Sequence, residues 1–163
     1  MEGKIALFEV SPHLYIGSEN ECSFSNSKEW ALIHACKSPC HQRVLGYTGS
    51  LPSTHPNYLV YEIENHLFLN MIDPPQPLFK PQLFIKSLDF IDKHIENQKV
   101  LIHCNLGMSR SPSIALLYLA KRLKKITNSS YESACVDFNK IYPYYQPSAG
   151  IMQYLSRNWD ILN

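Results

Sequence analysis

A thiol and a guanidinium stand six positions apart in "HCNLGMSRS", residues His103 to Ser111, with a glycine between them. Before this stretch "VLIH" is apolar enough for a buried strand. After it, "SIALLYLAKRL" is apolar almost all round, the composition of a helix buried on most faces. The loop therefore ends where a helix starts. Unpaired backbone N–H groups and partial positive charge gather at such a terminus, so a loop wrapped there cradles an anion of phosphate geometry. Gly107 lets the backbone turn and approach that anion, and Pro112 suits the first helical turn, where its missing N–H costs nothing. Arg110 offers a planar fork to two phosphate oxygens. Cys104 faces the same point, and the dipole and the guanidinium are expected to draw its pKa down. A thiolate aimed at a bound phosphate is a nucleophile.

The elements that must hold this loop are legible as short apolar runs. "IALFEV", "HLYIG", "ALIHA", "YLVYEI", "HLFLNM" and "VLIHC" read as strands, several of them rich in β-branched and aromatic residues. After Pro81 the period changes: Phe84, Leu88, Ile91 and Ile95 recur at helical spacing with Lys86, Asp89, Asp92 and Lys93 between them. Ser129 with Glu132 reads as a capping box that opens a helix with the stripe Tyr131, Ala134, Cys135, Phe138 and Ile141. Ser148 is placed to cap a last helix that buries Ile151, Leu155 and Trp159. The pattern predicts an α/β fold, a central sheet flanked by helices, with the phosphate loop between a strand and a buried helix. At 163 residues, with no repeat or linker, it predicts one domain over 1–163.

The loop resembles the phosphate-binding loop of the cysteine-dependent protein tyrosine phosphatases, and its "HCxxGxSRS" form is similar to the dual-specificity branch. The likeness runs from "SPHLYIGS" to "YPYYQPSAGIMQYL" and so covers most of the chain. It implies a mixed sheet of the protein-tyrosine-phosphatase kind and a two-step hydrolysis of phosphate monoesters through a phosphocysteine, without metal or cofactor. Cys104 would be the nucleophile. Arg110 and the backbone amides of Asn105, Leu106, Gly107, Met108 and Ser109 would hold the phosphate oxygens. The resemblance also requires a general acid on an upstream loop, and Asp73 in "LNMIDPP" stands 31 residues before Cys104. An Asp before two prolines is commonly just a turn residue, but the competing carboxylates fit the acid role worse, Asp89 and Asp92 on the polar face of a helix and Glu62 and Glu64 at strand ends. By the same resemblance the hydroxyl of Ser111 donates to the Cys104 sulfur and eases its departure. The chain departs from the family pattern where Tyr142 and Ser148 stand in place of an arginine and an asparagine, which argues against recognition of doubly phosphorylated substrates.

Composition bounds the partners. A net charge of +1 supplies no field to gather nucleic acid or an anionic membrane. No segment reaches the length of an apolar membrane span, and "MEGKIALFEV" lacks the apolar core of a signal peptide. Cys22, Cys36, Cys40, Cys104 and Cys135 make an odd set better read as reduced thiols. The expected form is a cytoplasmic monomer acting on phosphorylated protein. Rival substrates are phosphoinositides and RNA 5′-phosphates, although "NLGMS" lacks the Lys or His those branches place in the loop. A rival of another class is a phosphoprotein-binding module with little turnover. In "HACKSPCH", residues 34–41, two His and two Cys invite zinc, but four ligand types within eight residues fit the usual two-segment zinc site poorly. A strand end and a loop are expected there. The run "KRLKK" is read as completing a helix C-terminal dipole.

Overall fold

The computed structural model describes residues 7–21 and 27–163. All six apolar runs form strands: β1 (Phe8–Ser11), β2 (Leu14–Gly17), β3 (Trp30–His34), β4 (Val60–Ile63), β5 (His66–Leu69) and β6 (Lys99–His103). They make one sheet in the order β1-β2-β6-β3-β5-β4. β2, β6, β3 and β5 run parallel, and an antiparallel hairpin closes each edge. The parallel strands all deliver their C-termini to one rim of the sheet, where the connecting loops of such folds carry ligand sites.

Side-chain alternation divides the sheet into two unlike faces. Ala31, Ile33, Leu67, Leu69, Val100 and Ile102 point into the main core, with α2 (Pro81–His94), α3 (Arg110–Leu117), α4 (Tyr131–Ile141) and α5 (Ala149–Asn158) packed on that side. The opposite face buries a small cluster of Trp30, Leu32 and Leu101. Toward the rim it changes to His34, His66, Phe68 and His103, with the His34 ring stacked on Phe68 at 4.3 Å.

Three local expectations are corrected. The buried helix takes in the last two residues of the stretch read as loop, beginning at Arg110, and continues through wider π-type turns over Tyr118–Arg122, so the guanidinium belongs to the first helical residue. The capping box of α4 is Ser130 with Ser133: Ser130 is extended, and Ser133 N–H donates to its Oγ at 3.1 Å while Ser130 N–H donates to Ser133 Oγ at 3.2 Å. Glu132 instead accepts from Ser156. After the strand end at His34, "HACKSPCH" does not continue as a loop but closes as a wide helical turn, Lys37–His41, that runs into α1 (Gln42–Leu45). His41 has its own task there, contacting Tyr47 Oη at 2.7 Å and the Asn57 carbonyl at 3.0 Å, which fastens the segment 46–59. Ser148 caps α5 as expected, accepting from Ile151 N–H at 3.2 Å. Lys121 over Trp159, Arg122 on Asp89 and Asp92, and Lys125 on Ser11 make "KRLKK" a structural clamp.

Candidate active site

β6 ends at His103, and Cys104 follows at the rim with its side chain 2% exposed. Gly107 turns the loop at φ 76°, a left-handed conformation that costs a residue with a Cβ roughly 1 kcal/mol or more. The turn brings Gly107 N–H to 3.3 Å from Cys104 Sγ, and Ser111 Oγ lies 3.2 Å from the same sulfur. Ser111 is fully buried in the first turn of α3, so the sulfur sits at the positive end of that helix.

Arg110 faces the loop from the same helical turn. Its Nη1 donates to the Met71 carbonyl at 2.9 Å and its Nη2 to Asn105 Oδ1. Its buried Nε has no acceptor among the described residues, which leaves a donor for an anion in the cradle. Asn105 ties the loop outward, donating to Glu19 Oε1 at 3.0 Å and to the Ser38 carbonyl at 3.2 Å. Ser109 Oγ accepts from Ser148 N–H at 3.0 Å, and the Met108 carbonyl accepts from Gln146 N–H at 2.7 Å. Leu106 points outward, so its contribution to an anion is its backbone alone.

Sequence reasoning missed the role of Tyr142. Its ring is fully buried, and its hydroxyl donates to the Gly107 carbonyl at 2.7 Å, bracing the strained turn from below. Burial raises its pKa first and the Cys104 sulfur beside it adds to the rise, so the phenol stays a donor. The signal was present as a tyrosine in an apolar stretch, but only the fold supplies its acceptor.

Asp73 lies on the rim, exposed, and makes no hydrogen bond or ion pair among the described residues. Contacts with its backbone hold the loop: Arg110 Nη1 and Lys37 N–H both donate to the Met71 carbonyl at 2.9 Å, and Gly150 of α5 lies against the Pro74 and Gln76 carbonyls so closely that a Cβ there would sit 2.3 and 2.2 Å from them. Gly150 is the second residue missed. Three of the competing carboxylates are committed elsewhere: Asp89 and Asp92 hold Arg122, Tyr118 Oη donates to Asp92 at 2.8 Å, and Glu62 pairs with Lys93 at 2.9 Å. Glu64 occupies the exposed β4–β5 turn at φ 54°.

Behind the loop lies a polar seam. His103 Nδ1 is 3.3 Å from the Cys104 carbonyl and its Nε2 is 2.7 Å from His34 Nδ1; His34 Nε2 is 3.0 Å from His66 Nδ1. The register explains it, since His34 pairs directly with His103 across β3 and β6. The described cysteines form no disulfide among themselves. A hydrogen bond with Cys40 brings Cys36 down to about 7 against the upward push of burial. Cys22 lies outside the described residues.

A parallel-stranded sheet that delivers a cysteine into an anion cradle at a helix N-terminus, with an arginine six residues on, defines the protein-tyrosine-phosphatase class. The model of the dual specificity phosphatase catalytic domain matches residues 52–157, and the chain belongs to that family. It is 31% identical over 150 residues to the tyrosine-protein phosphatase yvh1 of Schizosaccharomyces pombe, a match over 91% of this chain and 40% of that protein. It is 27% identical over 153 residues to the rat dual specificity protein phosphatase 5, over 91% of this chain and 35% of that one. The chain thus spans well under half the length of these relatives. Among solved structures, the Yvh1 phosphatase domain from Chaetomium thermophilum has a TM-score of 0.62 at 18% identity, covering 96% of each chain. A human tyrosine phosphatase-like serine/threonine/tyrosine-interacting protein has 0.63 at 18%, covering 95% of this chain and 96% of that one. Identities at this level speak to the fold. Among the described residues no helix is long and apolar enough to cross a membrane.

Proposed function

We propose that this chain hydrolyses phosphate monoesters in proteins, phosphotyrosine together with phosphoserine and phosphothreonine, through a phosphocysteine intermediate. The observation that carries the reading is the Cys104 sulfur, set between Gly107 N–H and Ser111 Oγ and facing the same cradle as the unpartnered Nε of Arg110.

In the first step the Cys104 thiolate attacks phosphorus in line. The S–P bond forms as the ester P–O bond breaks, and Asp73 gives its proton to the departing oxygen. The amides from Asn105 to Arg110 and the Arg110 guanidinium hold the equatorial oxygens while charge redistributes. In the second step Asp73, now a carboxylate, takes a proton from water as that water attacks phosphorus. The S–P bond breaks, inorganic phosphate leaves, and Ser111 and Gly107 N–H receive the returning thiolate. The route uses no metal or cofactor. A groove lined by Lys37, Tyr58, Ile72, Leu78 and Lys80 adjoins the Asp73 loop and suits the peptide that flanks a phosphorylated residue.

The test is turnover on phosphotyrosine, phosphoserine and phosphothreonine peptides beside phosphoinositides and RNA 5′-triphosphate. Release from the peptides is expected to dominate. Dominant release from lipid or RNA would reassign the substrate, and binding of phosphopeptide without phosphate release would make the chain a recognition module. With Tyr142 buried where the family pattern has an arginine, peptides phosphorylated at two neighbouring residues are expected to have no advantage over singly phosphorylated ones.

A further inference from the structure

The fold supplies the second segment that "HACKSPCH" lacked in sequence. One ring nitrogen of His34, one of His103 and the sulfur of Cys40 all lie within 4.8 Å of one another, and all three residues are buried. Two come from the end of β3 and the turn after it, and the third from β6, brought alongside by the His34–His103 register. The nitrogens that face each other are His34 Nδ1 and His103 Nε2, 2.7 Å apart. Each ring holds a partner through its other nitrogen, His34 with His66 and His103 with the Cys104 carbonyl, which is the outer support that fixes tautomer and ring plane in histidine metal sites. Cys36, hydrogen-bonded to Cys40, places a second sulfur beside the cluster.

We propose that His34, His103 and Cys40, with Cys36 as the fourth donor, bind one zinc ion behind the phosphate loop. The donor set of imidazole nitrogens and thiolate sulfurs is that of closed, tetrahedral zinc sites, and it contains no carboxylate oxygen that magnesium or calcium would demand. A small cleft lined by Glu19, Pro39, Cys40 and Arg43 gives the ion a way in from the surface. With zinc–nitrogen bonds of about 2.0 Å the two facing nitrogens part by roughly half an ångström, to tetrahedral spacing.

The protons balance without a charged histidine. Before binding, His66 donates to His34, His34 donates to His103, and His103 donates to the Cys104 carbonyl. On binding, the chain inverts its first two tautomers: His34 now carries its proton on Nε2 and donates to His66, which frees Nδ1 for the metal. Cys40 and Cys36 release their thiol protons to solvent, so two protons leave for each zinc bound. The ion touches no phosphate oxygen. Its effect is to lock the ends of β3 and β6 together and to fix the ring that meets the Cys104 carbonyl.

The test is zinc content of the full chain and of Cys104→Ser, purified in the presence of zinc and desalted, beside Cys40→Ser and His34→Gln. About one zinc per chain is expected in the first two, as a closed structural site requires, and a loss of tenfold or more in the last two. Zinc that disappears with Cys104→Ser and persists with Cys40→Ser would place the ion on the nucleophile and overturn the proposal. So would a chain that keeps no zinc, or one that prefers copper. Should Cys40→Ser and His34→Gln fail to fold, X-ray absorption at the zinc edge of the intact Cys104→Ser protein decides. Two ring nitrogens and two sulfurs support the site, and a shell of oxygen and nitrogen alone removes it.

Discussion

The loop of Cys104 and the loop of Asp73 share the rim of the sheet and are held in opposite ways. The first is fixed at nearly every residue: Asn105 to Glu19 and Ser38, Gly107 to Tyr142, Met108 to Gln146, Ser109 to Ser148, and the sulfur to Gly107 and Ser111. The second is held by its backbone, through Arg110 on Met71 and Gly150 under Pro74 and Gln76, while the Asp73 carboxylate itself is exposed. A nucleophile and the donors around it must be in place before substrate arrives, because donors that reorganise during reaction lose their advantage. A proton donor has only to reach the leaving oxygen, and a chain path that delivers it is enough.

That contrast ranks the variants. Cys104→Ser strikes the fixed loop at the reacting atom and is expected to lower turnover by several orders of magnitude, on the order of 10⁶ as for other lost covalent nucleophiles, while tungstate still binds. Steady-state assay with tungstate titration checks both halves, and retained turnover would end the mechanism. Asp73→Asn is expected to cost roughly 10² to 10⁴ on phosphotyrosine and less on aryl phosphates with acidic leaving groups. The proposed mechanism calls for a thiolate nucleophile and a protonated acid together, so kcat/KM is expected to be bell-shaped in pH. The variant should lose the alkaline limb, because deprotonation of the acid is what that limb reports. An unchanged limb, with equal losses on both substrates, would make Asp73 a turn residue and turn attention to Glu64.

Gly150→Ala sharpens the comparison by moving one loop and sparing the other. Its Cβ would meet backbone oxygens at 2.2 and 2.3 Å, so the Asp73 loop must shift. A displacement of this kind is expected to lower kcat by about 10 to 10² with tungstate affinity unchanged. Equal loss of both would show that α5 positions the phosphate loop as well. Tyr142→Phe has the smallest expected effect. It leaves the Gly107 carbonyl without its buried donor, for a destabilisation of about 1 to 3 kcal/mol. In a chain of this size each kcal/mol lowers Tm by roughly 2 to 4 °C, which calorimetry resolves.

The loop from Cys104 to Ser111 was legible because its parts are contiguous: one strand, one glycine turn and one helix terminus place Cys104, Arg110 and Ser111 by local geometry. The six strands and the amphipathic helices were legible for the same reason, since periodicity is a local record of which side chains are buried. Errors fell where two local solutions compete. Ser129 with Glu132 and Ser130 with Ser133 are both plausible caps, and the contact of Glu132 with Ser156 on another helix takes it out of the first.

By itself, then, the sequence determined the fold class and the strand, glycine turn and helix terminus that carry Cys104, Gly107 and Arg110, because those follow from propensities and spacings within a few residues. The tertiary structure alone decided what lies across strands and between helices. It set Tyr142 under Gly107, Gly150 against the acid loop, and Arg122 on Asp89 and Asp92. It also paired His34 with His103 through the register of β3 and β6, which gathered two histidines and a cysteine from segments 69 residues apart. No local pattern encodes those distances. They are set by how the sheet aligns its strands when both of its faces are buried, where a slip of one residue would turn every side chain to the wrong side.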